Sequence, residues 1–121
     1  AGSVADGLVS HIDLMPTLAD LCSLPTPGDA EGISLLPAIA GEVDPDWPIF
    51  SEFHERATGP CRMIRTQRWK YLIYPGKTEV LFDRQADPDE MANLATDPAY
   101  REVCEDLRAR VLDGWDVPGL P

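Results

Sequence analysis

The first 55 residues contain neither lysine nor arginine, although the whole chain of 121 residues has ten of these basic side chains. Six of the ten lie between Arg56 and Lys77, and the formal net charge is −11. Because an acidic chain repels phosphate backbones and anionic lipid surfaces, we expect neither nucleic acid nor a membrane as a partner. The short basic segment could meet an anionic substrate or balance nearby carboxylates, and the second interpretation is favoured.

Cysteine is scarce, and the apolar runs are short. The three cysteines, Cys22, Cys61 and Cys104, form no CxxC pair and no Cys/His cluster, so neither a disulfide framework nor a zinc site is predicted. Cys22 and Cys104 fall in predicted helices, where we expect both to be small buried side chains. A reducing cytoplasm is therefore the expected compartment. No run approaches the roughly 20 apolar residues that span a bilayer.

What the chain does contain is a series of short strands. Met63–Thr66, Trp69–Tyr74 and Thr78–Asp83 have strand composition, and Pro75-Gly76-Lys77 supplies a turn between the last two. Alternation places Trp69, Tyr71 and Ile73 on one face of the middle strand. Residues 49–53 are a candidate fourth strand, whereas residues 54–59 are polar and predicted to be irregular.

Three helices are predicted around these strands. Asp13 caps a helix ending near Cys22 or Ser23, and Ser34 caps a short helix over residues 35–40. Asp97 and Pro98 open a final helix over residues 98–113, whose apolar stripe should cover the sheet. That stripe consists of Tyr100, Val103, Cys104, Leu107 and Val111. The predicted fold class is α+β: a small antiparallel sheet of three or four strands packed by a C-terminal helix and preceded by two short helices.

Several motifs occur in a fixed order along the chain. They are Arg62-Met63-Ile64-Arg65, Trp69-Lys70-Tyr71, Leu81-Phe82-Asp83, Asp87-Pro88-Asp89-Glu90 and Asn93-Leu94-Ala95. This ordered set resembles the C-terminal subdomain of the sulfatases, in the alkaline phosphatase superfamily. Upstream, VSHIDLMPTL at residues 9–18 and GISLLP at residues 32–37 resemble two further segments of that family. Trp115-Asp116, after the last predicted helix, resembles the end of the choline sulfatases, and VSHIDLMPTL resembles the corresponding stretch of the phosphonate monoester hydrolases.

The resemblance implies a division of the chain and a missing partner. Residues 1–45 would be the tail end of the catalytic domain, and residues 46–121 the C-terminal sulfatase subdomain. A sulfatase uses a formylglycine made within C-x-P-S-R or S-x-P-S-R, together with a divalent metal such as Ca²⁺. Neither motif is present here, so we expect no catalytic residue, metal ligand or cofactor in this chain. Asp13 is interpreted as a helix cap rather than a metal ligand.

Some residues could still approach a substrate in the whole enzyme. His54, Glu55 and Arg56 follow the candidate first strand, where the resemblance implies a turn toward the catalytic cleft. A solvated loop is the favoured alternative, and His11 is interpreted as structural.

Two further sets have a functional and a structural interpretation. Arg62, Arg65 and Lys70 could attract a sulfate, but pairing with Asp83, Asp87 or Glu90 is favoured. Trp69, Tyr71 and Phe82 could form an aromatic patch, but a position in the core under the last helix is favoured.

Two functional hypotheses follow. In the first, the chain is the C-terminal part of a sulfatase-like hydrolase, inactive alone, that forms a wall of the reaction cleft or a subunit contact. The parent could also be a phosphonate or phosphate ester hydrolase. In the second, the chain is a free-standing, non-catalytic interaction module. The predicted first helix is apolar almost all round, so self-association is expected in either case.

Overall fold

A computed structural model describes residues 2, 4, 7–42, 47–56 and 59–116, and for Glu55 the backbone alone. The chain divides into two compact units, Ala1–Ile49 and Phe50–Pro121. The boundary expected from the sequence falls at residues 45 and 46. Each unit is described below by itself.

The first unit is built from short helical segments. A 3₁₀ turn, His11–Asp13, leads into α1 (Leu14–Leu21), and α2 (Leu36–Ile39) follows after a long loop. Both predicted helices are therefore confirmed, although α2 is two residues shorter than expected and its N-cap is Leu35 rather than Ser34. Cys22 is exposed at the C-terminal end of α1, so the expectation that it is buried was wrong. The reason is that α1 has few neighbours among the described residues of this unit: Leu14, Leu18 and Leu21 are more than half exposed.

The second unit is a four-stranded antiparallel sheet in the order β1-β2-β3-β4. Its strands are β1 (Ile49–Glu55), β2 (Gly59–Arg65), β3 (Trp69–Tyr74) and β4 (Thr78–Asp83). A 3₁₀ turn, Pro98–Tyr100, then leads into α3 (Arg101–Leu112). The predicted α+β fold class is confirmed, and β3 and β4 begin and end where the sequence predicts.

The core of this unit lies between one sheet face and α3. Ile64, Tyr71 and Leu81 are direct partners across β2, β3 and β4, and all three are fully buried. Leu107 and Val111 of α3 are buried in the same cluster, as is Cys104. The predicted apolar stripe of the last helix is thus confirmed. The Asp97 carboxylate accepts a hydrogen bond from the Ala99 N–H (2.9 Å), which also confirms the predicted cap.

Two expectations for the second unit were wrong. His54 and Glu55 belong to β1, and Gly59 begins β2, so the residues between Phe53 and Gly59 are not all irregular. Phe82 is opposite Lys70 and therefore lies on the face away from α3, outside the helix-covered core. Since side chains alternate along a strand, Leu81 takes the core position next to Tyr71, and Phe82 cannot share it.

The close approach of Gly32 to the 3₁₀ turn gives a test of the first unit. A Cβ added at Gly32 would lie 2.1 Å from the Ile12 carbonyl oxygen and 2.9 Å from the Asp13 nitrogen. Because both atoms belong to the backbone, Gly32→Ala should destabilise this unit by about 1–3 kcal/mol. Hydrogen exchange of the Ile33 and Leu35 amides should accelerate accordingly.

Gly28→Ala is the matched control for that substitution. The added methyl group would have no atom within 4 Å, and the Gly28 backbone does not have the positive φ that disfavours alanine. Unchanged exchange in Gly32→Ala would show that the two segments do not approach each other as described.

Candidate functional site

The predicted site residues lie along and after β1, which is an edge strand of the sheet. His54 is exposed on this strand, Glu55 ends it, and Arg56 begins the connection to β2. Phe53, just before His54, is 61% exposed. The structure therefore places these positions in sequence along an accessible edge, where they could approach a molecule outside the sheet.

A cavity of about 590 Å³ lies beside His54. Its described lining comes from β1, the start of β2 and the segment after α3: Glu52, Phe53, His54, Pro60, Cys61, Trp115 and Asp116. The volume falls within the roughly 300–1,000 Å³ that is common for small-molecule sites. Two aromatic rings, two carboxylates and an imidazole thus surround a space large enough for a small molecule.

Trp115 and Asp116 follow α3 in the sequence. The structure brings them against β1 and β2, some 50 residues earlier in the chain, as part of the same cavity. This contact could not be predicted from the sequence, because a segment without periodicity does not indicate which element it packs against.

Three of the six side chains of the basic segment are paired with carboxylates. Arg68 donates to the buried Asp83 carboxylate at 2.7 Å, and Lys70 binds Glu90. Arg62 lies 3.2 Å from a Glu52 carboxylate oxygen, so its partner is not one of the three acids expected from the sequence. The favoured interpretation of the basic segment, that it balances nearby acids, therefore describes these three side chains correctly.

The Asp-Pro-Asp-Glu segment is held by charge pairs. The Glu90 carboxylate accepts from both Lys70 and Arg84, and the Glu90 backbone has the positive φ of 57° that is uncommon outside glycine. Asp87 accepts from the Ala92 N–H at 2.8 Å. These contacts keep the loop against β3 in a conformation that a flexible chain would rarely adopt.

The pKa of the Asp83 carboxyl is lowered by identifiable neighbours. Hydrogen bonds from Arg68 hold the pKa of this carboxyl below its usual range, and the backbone N–H groups of Gln85 and Ala86 lower it further. The guanidinium also lies over the Trp69 ring, 4.4 Å from its centroid. Asp83 therefore fixes the start of the loop after β4 and does not serve as a proton donor or acceptor near neutral pH.

Tyr71 is a core residue rather than part of an aromatic binding patch. Its side chain is fully buried, and burial raises the pKa of its hydroxyl, with the Glu79 carboxylate as a further cause. Trp69 packs against the same core and makes an edge-to-face contact with Tyr100, 5.9 Å between ring centroids. The structural interpretation is correct for Trp69 and Tyr71, and wrong for Phe82.

Asp13 is also structural, although not through the contacts that were expected. It is 3% exposed, and its two carboxylate oxygens accept from the N–H groups of Ser10 (2.8 Å) and Ile33 (3.1 Å). It makes no side-chain hydrogen bond to the first turn of α1, so the expected cap chemistry was wrong. Within the described ranges, no group of three or more His, Cys, Asp or Glu could hold a metal ion. His11, also interpreted as structural, is exposed in the 3₁₀ turn beside it.

A family model described as the C-terminal region of N-sulphoglucosamine sulphohydrolase matches residues 1–115. The chain belongs to this sulfatase family. It is 42% identical over 108 residues to the Delta 4,5-hexuronate-2-O-sulfatase of Bacteroides thetaiotaomicron, which covers 84% of this chain and 22% of that protein. It is also 40% identical over 103 residues to arylsulfatase K of Rattus norvegicus, and this alignment covers 74% of this chain and 18% of that protein.

A solved structure agrees with this assignment. The phosphonate monoester hydrolase of Agrobacterium radiobacter superposes with a TM-score of 0.66 at 25% identity, covering 84% of this chain and 23% of that one. The chain thus spans about a fifth of the length of the relatives that it matches. No helix in the described ranges has the length and apolar character needed to cross a bilayer.

The Arg68–Asp83 pair predicts a pH dependence of stability. Because the folded-state pKa of Asp83 is below the unfolded value of about 3.9, the stabilisation is complete above that value. It disappears as the pH falls through the lower, folded value. Asp83→Asn should therefore be less stable than the parent chain at pH 7, and its free energy of unfolding should fall less between about pH 5 and pH 2.

Urea unfolding followed by tryptophan fluorescence at pH 7, 5, 3 and 2 measures this difference. Glu105→Gln, at an exposed position on α3, is the control and should keep the parent's pH profile. Parallel profiles for Asp83→Asn and the parent would mean that Arg68 does not lower the pKa of Asp83.

Proposed function

We propose that this chain is the C-terminal part of a sulfuric ester hydrolase, in which it forms one wall of the reaction cleft. The observation that carries the proposal is the family match over residues 1–115, together with relatives about five times as long. Ester cleavage in the whole protein would use a nucleophile and a metal site from the remaining four-fifths. This chain alone would be inactive.

The described residues of this chain do not fit a metal ion, since they contain no cluster of suitable ligands. The formylglycine and the divalent metal, Ca²⁺ by family resemblance, therefore belong to the missing catalytic domain in this proposal. The present chain would contribute His54, which is exposed on the edge strand beside a cavity of about 590 Å³, with Glu55 and Arg56 next to it in the sequence.

Residues 1–45 would be the last part of the catalytic domain, and residues 46–121 the C-terminal subdomain. The support is the surface of α1, where Leu18 is 61% exposed and Leu14 and Leu21 are similarly accessible. Burying such side chains fully is worth about 1.5–3 kcal/mol each. In the whole enzyme, the missing catalytic domain would cover this helix.

The catalytic proposal is tested in the complete reading frame, expressed with formylglycine maturation and Ca²⁺. The purified enzyme should hydrolyse sulfate esters, and His54→Ala should lower kcat/KM by about 100-fold if the imidazole assists proton transfer. Arg110→Gln, on the last turn of α3, is the control and should retain activity. Hydrolysis of phosphonate monoesters with no turnover of sulfate esters would contradict the proposal.

The choice of substrate has specific alternatives. A phosphonate or phosphate ester hydrolase is one candidate, and the superposed protein of Agrobacterium radiobacter, a phosphonate monoester hydrolase, supports the phosphonate form of it. A choline-sulfatase-like enzyme is the other candidate, on the sequence resemblance of Trp115-Asp116. A panel of aryl sulfates, sulfated sugars, choline sulfate and phosphonate monoesters distinguishes these classes.

The second candidate function is a free-standing interaction module that associates through α1. The exposed leucines of that helix favour it, because an apolar surface of this kind is usually buried. The free thiols Cys22, Cys61 and Cys104 are consistent with a cytoplasmic location under either proposal.

Self-association is tested with the 121-residue chain. Its solution mass, measured by light scattering, should correspond to a dimer or larger, and Leu18→Lys with Leu21→Lys should convert it to a monomer. Glu102→Lys, at an exposed site on α3, is the charge-matched control and should leave the mass unchanged. A monomeric parent chain would show that α1 is not an association surface.

A further inference from the structure

Arg62 lies where three parts of the second unit meet. Its side chain, on β2, is 15% exposed, and its Nη1 donates to the carbonyl oxygens of Val111 (3.0 Å) and Asp113 (3.1 Å). These carbonyls end α3, where the last helical C=O groups lack partners within the helix and favour a cation. The guanidinium thus connects β2 to the end of α3.

The same guanidinium also contacts the edge strand. Its Nε is 3.2 Å from a carboxylate oxygen of Glu52, an ion pair without the alignment of a hydrogen bond. Its central carbon lies 5.1 Å from the Phe50 ring centroid and 5.8 Å from that of Trp115. A planar cation with several donors can hold all of these groups at once, which a lysine ammonium cannot do.

The edge strand has few other side-chain anchors. None of the described residues in the buried core or packed against it belongs to β1, and Phe50, Glu52 and Phe53 are exposed. An edge strand is hydrogen-bonded to the sheet along one side alone. The position of β1 therefore depends on its pairing with β2 and on the contacts of Arg62.

We propose that Arg62 is the positioning residue that sets the place of His54 beside the cavity. Glu52 and His54 are two residues apart on one strand, so their side chains leave the same side of it. The contact with Glu52 thus fixes the strand two residues before His54, on the side from which the imidazole projects. The inference rests on the proposed function, in which His54 approaches the substrate.

The consequence for the reaction follows from geometry. A displacement of about 1 Å at a catalytic group can lower the rate by about 100-fold, even when its cause lies outside the reacting atoms. Arg62→Lys keeps the positive charge but removes the planar set of donors, so it should loosen β1 without removing the cation that faces Glu52.

The test is a double-mutant cycle in the complete enzyme. Arg62→Lys, His54→Ala and the combined variant are compared by kcat/KM toward the best sulfate ester from the panel. Arg62→Lys should lower kcat/KM by about 10- to 100-fold when His54 is present. In the His54→Ala background it should cost at most about two-fold, because two residues that act through one group are not additive.

Two further variants separate positioning from stability. Arg68→Lys weakens a comparable arginine–carboxylate pair in the same sheet, at Asp83, and its effect should simply add to that of His54→Ala. Glu52→Gln removes the β1 side of the ion pair while Arg62 keeps its carbonyl partners on α3. Like Arg62→Lys, it should lower kcat/KM much less in the His54→Ala background than in the parent. It also keeps the test valid if Arg62→Lys fails to fold.

Each outcome has a distinct meaning. If His54→Ala lowers kcat/KM but Arg62→Lys and Glu52→Gln add to it in full, the positioning role is overturned and the proposed function remains. If His54→Ala leaves kcat/KM unchanged, the proposed role of His54 fails, and the inference fails with it. A larger acceleration of hydrogen exchange at β1 amides than at β3 amides, on going from the parent to Arg62→Lys, supports the inference, and an equal acceleration contradicts it.

Discussion

The second unit depends on one row of side chains that crosses the sheet. Ile64, Tyr71 and Leu81 are direct neighbours on three adjacent strands, and Leu107 and Val111 of α3 bury them. Fully burying an aliphatic side chain of this kind is worth about 1.5–3 kcal/mol, so the row and the helix account for much of the apolar stabilisation. Because α3 is fixed by this contact, its last carbonyls lie within reach of Arg62, which in turn contacts β1.

Much of this arrangement could be predicted from the sequence. The alternation in β3 and the Pro-Gly turn defined β3 and β4, and the spacing in the last helix identified its buried stripe. The correct face for Phe82 also follows from the sequence. The three-residue turn pairs Tyr74 with Thr78, and stepping back along both strands pairs Tyr71 with Leu81, which puts Phe82 on the other face. The end of β1 was harder to find, because an exposed edge strand lacks the alternation that marks a half-buried one.

The motifs of the first unit show a different limit of sequence reasoning. Thr17 donates to the Asp13 carbonyl oxygen at 2.6 Å and accepts from the Leu35 N–H at 2.9 Å. Ser34 donates to Asp20 at 2.7 Å, and Gly32 lies against the backbone of the 3₁₀ turn. The residues that carry the family resemblance therefore connect two segments about 20 positions apart. No local pattern predicts such bonds, because they depend on which loop passes beside the helix.

Charge limits what this chain could contribute to the proposed reaction. Arg62, Arg68 and Lys70 each have a carboxylate partner, and Arg84 and Arg108 pair with Glu90 and Glu79. A paired guanidinium or ammonium offers little net attraction to a distant sulfate. If the proposed function is correct, the groups that stabilise the negative charge developing on the sulfate ester during cleavage would belong to the missing domain. This chain would act through position instead: the place of β1, the direction of His54 and the shape of the adjoining cavity.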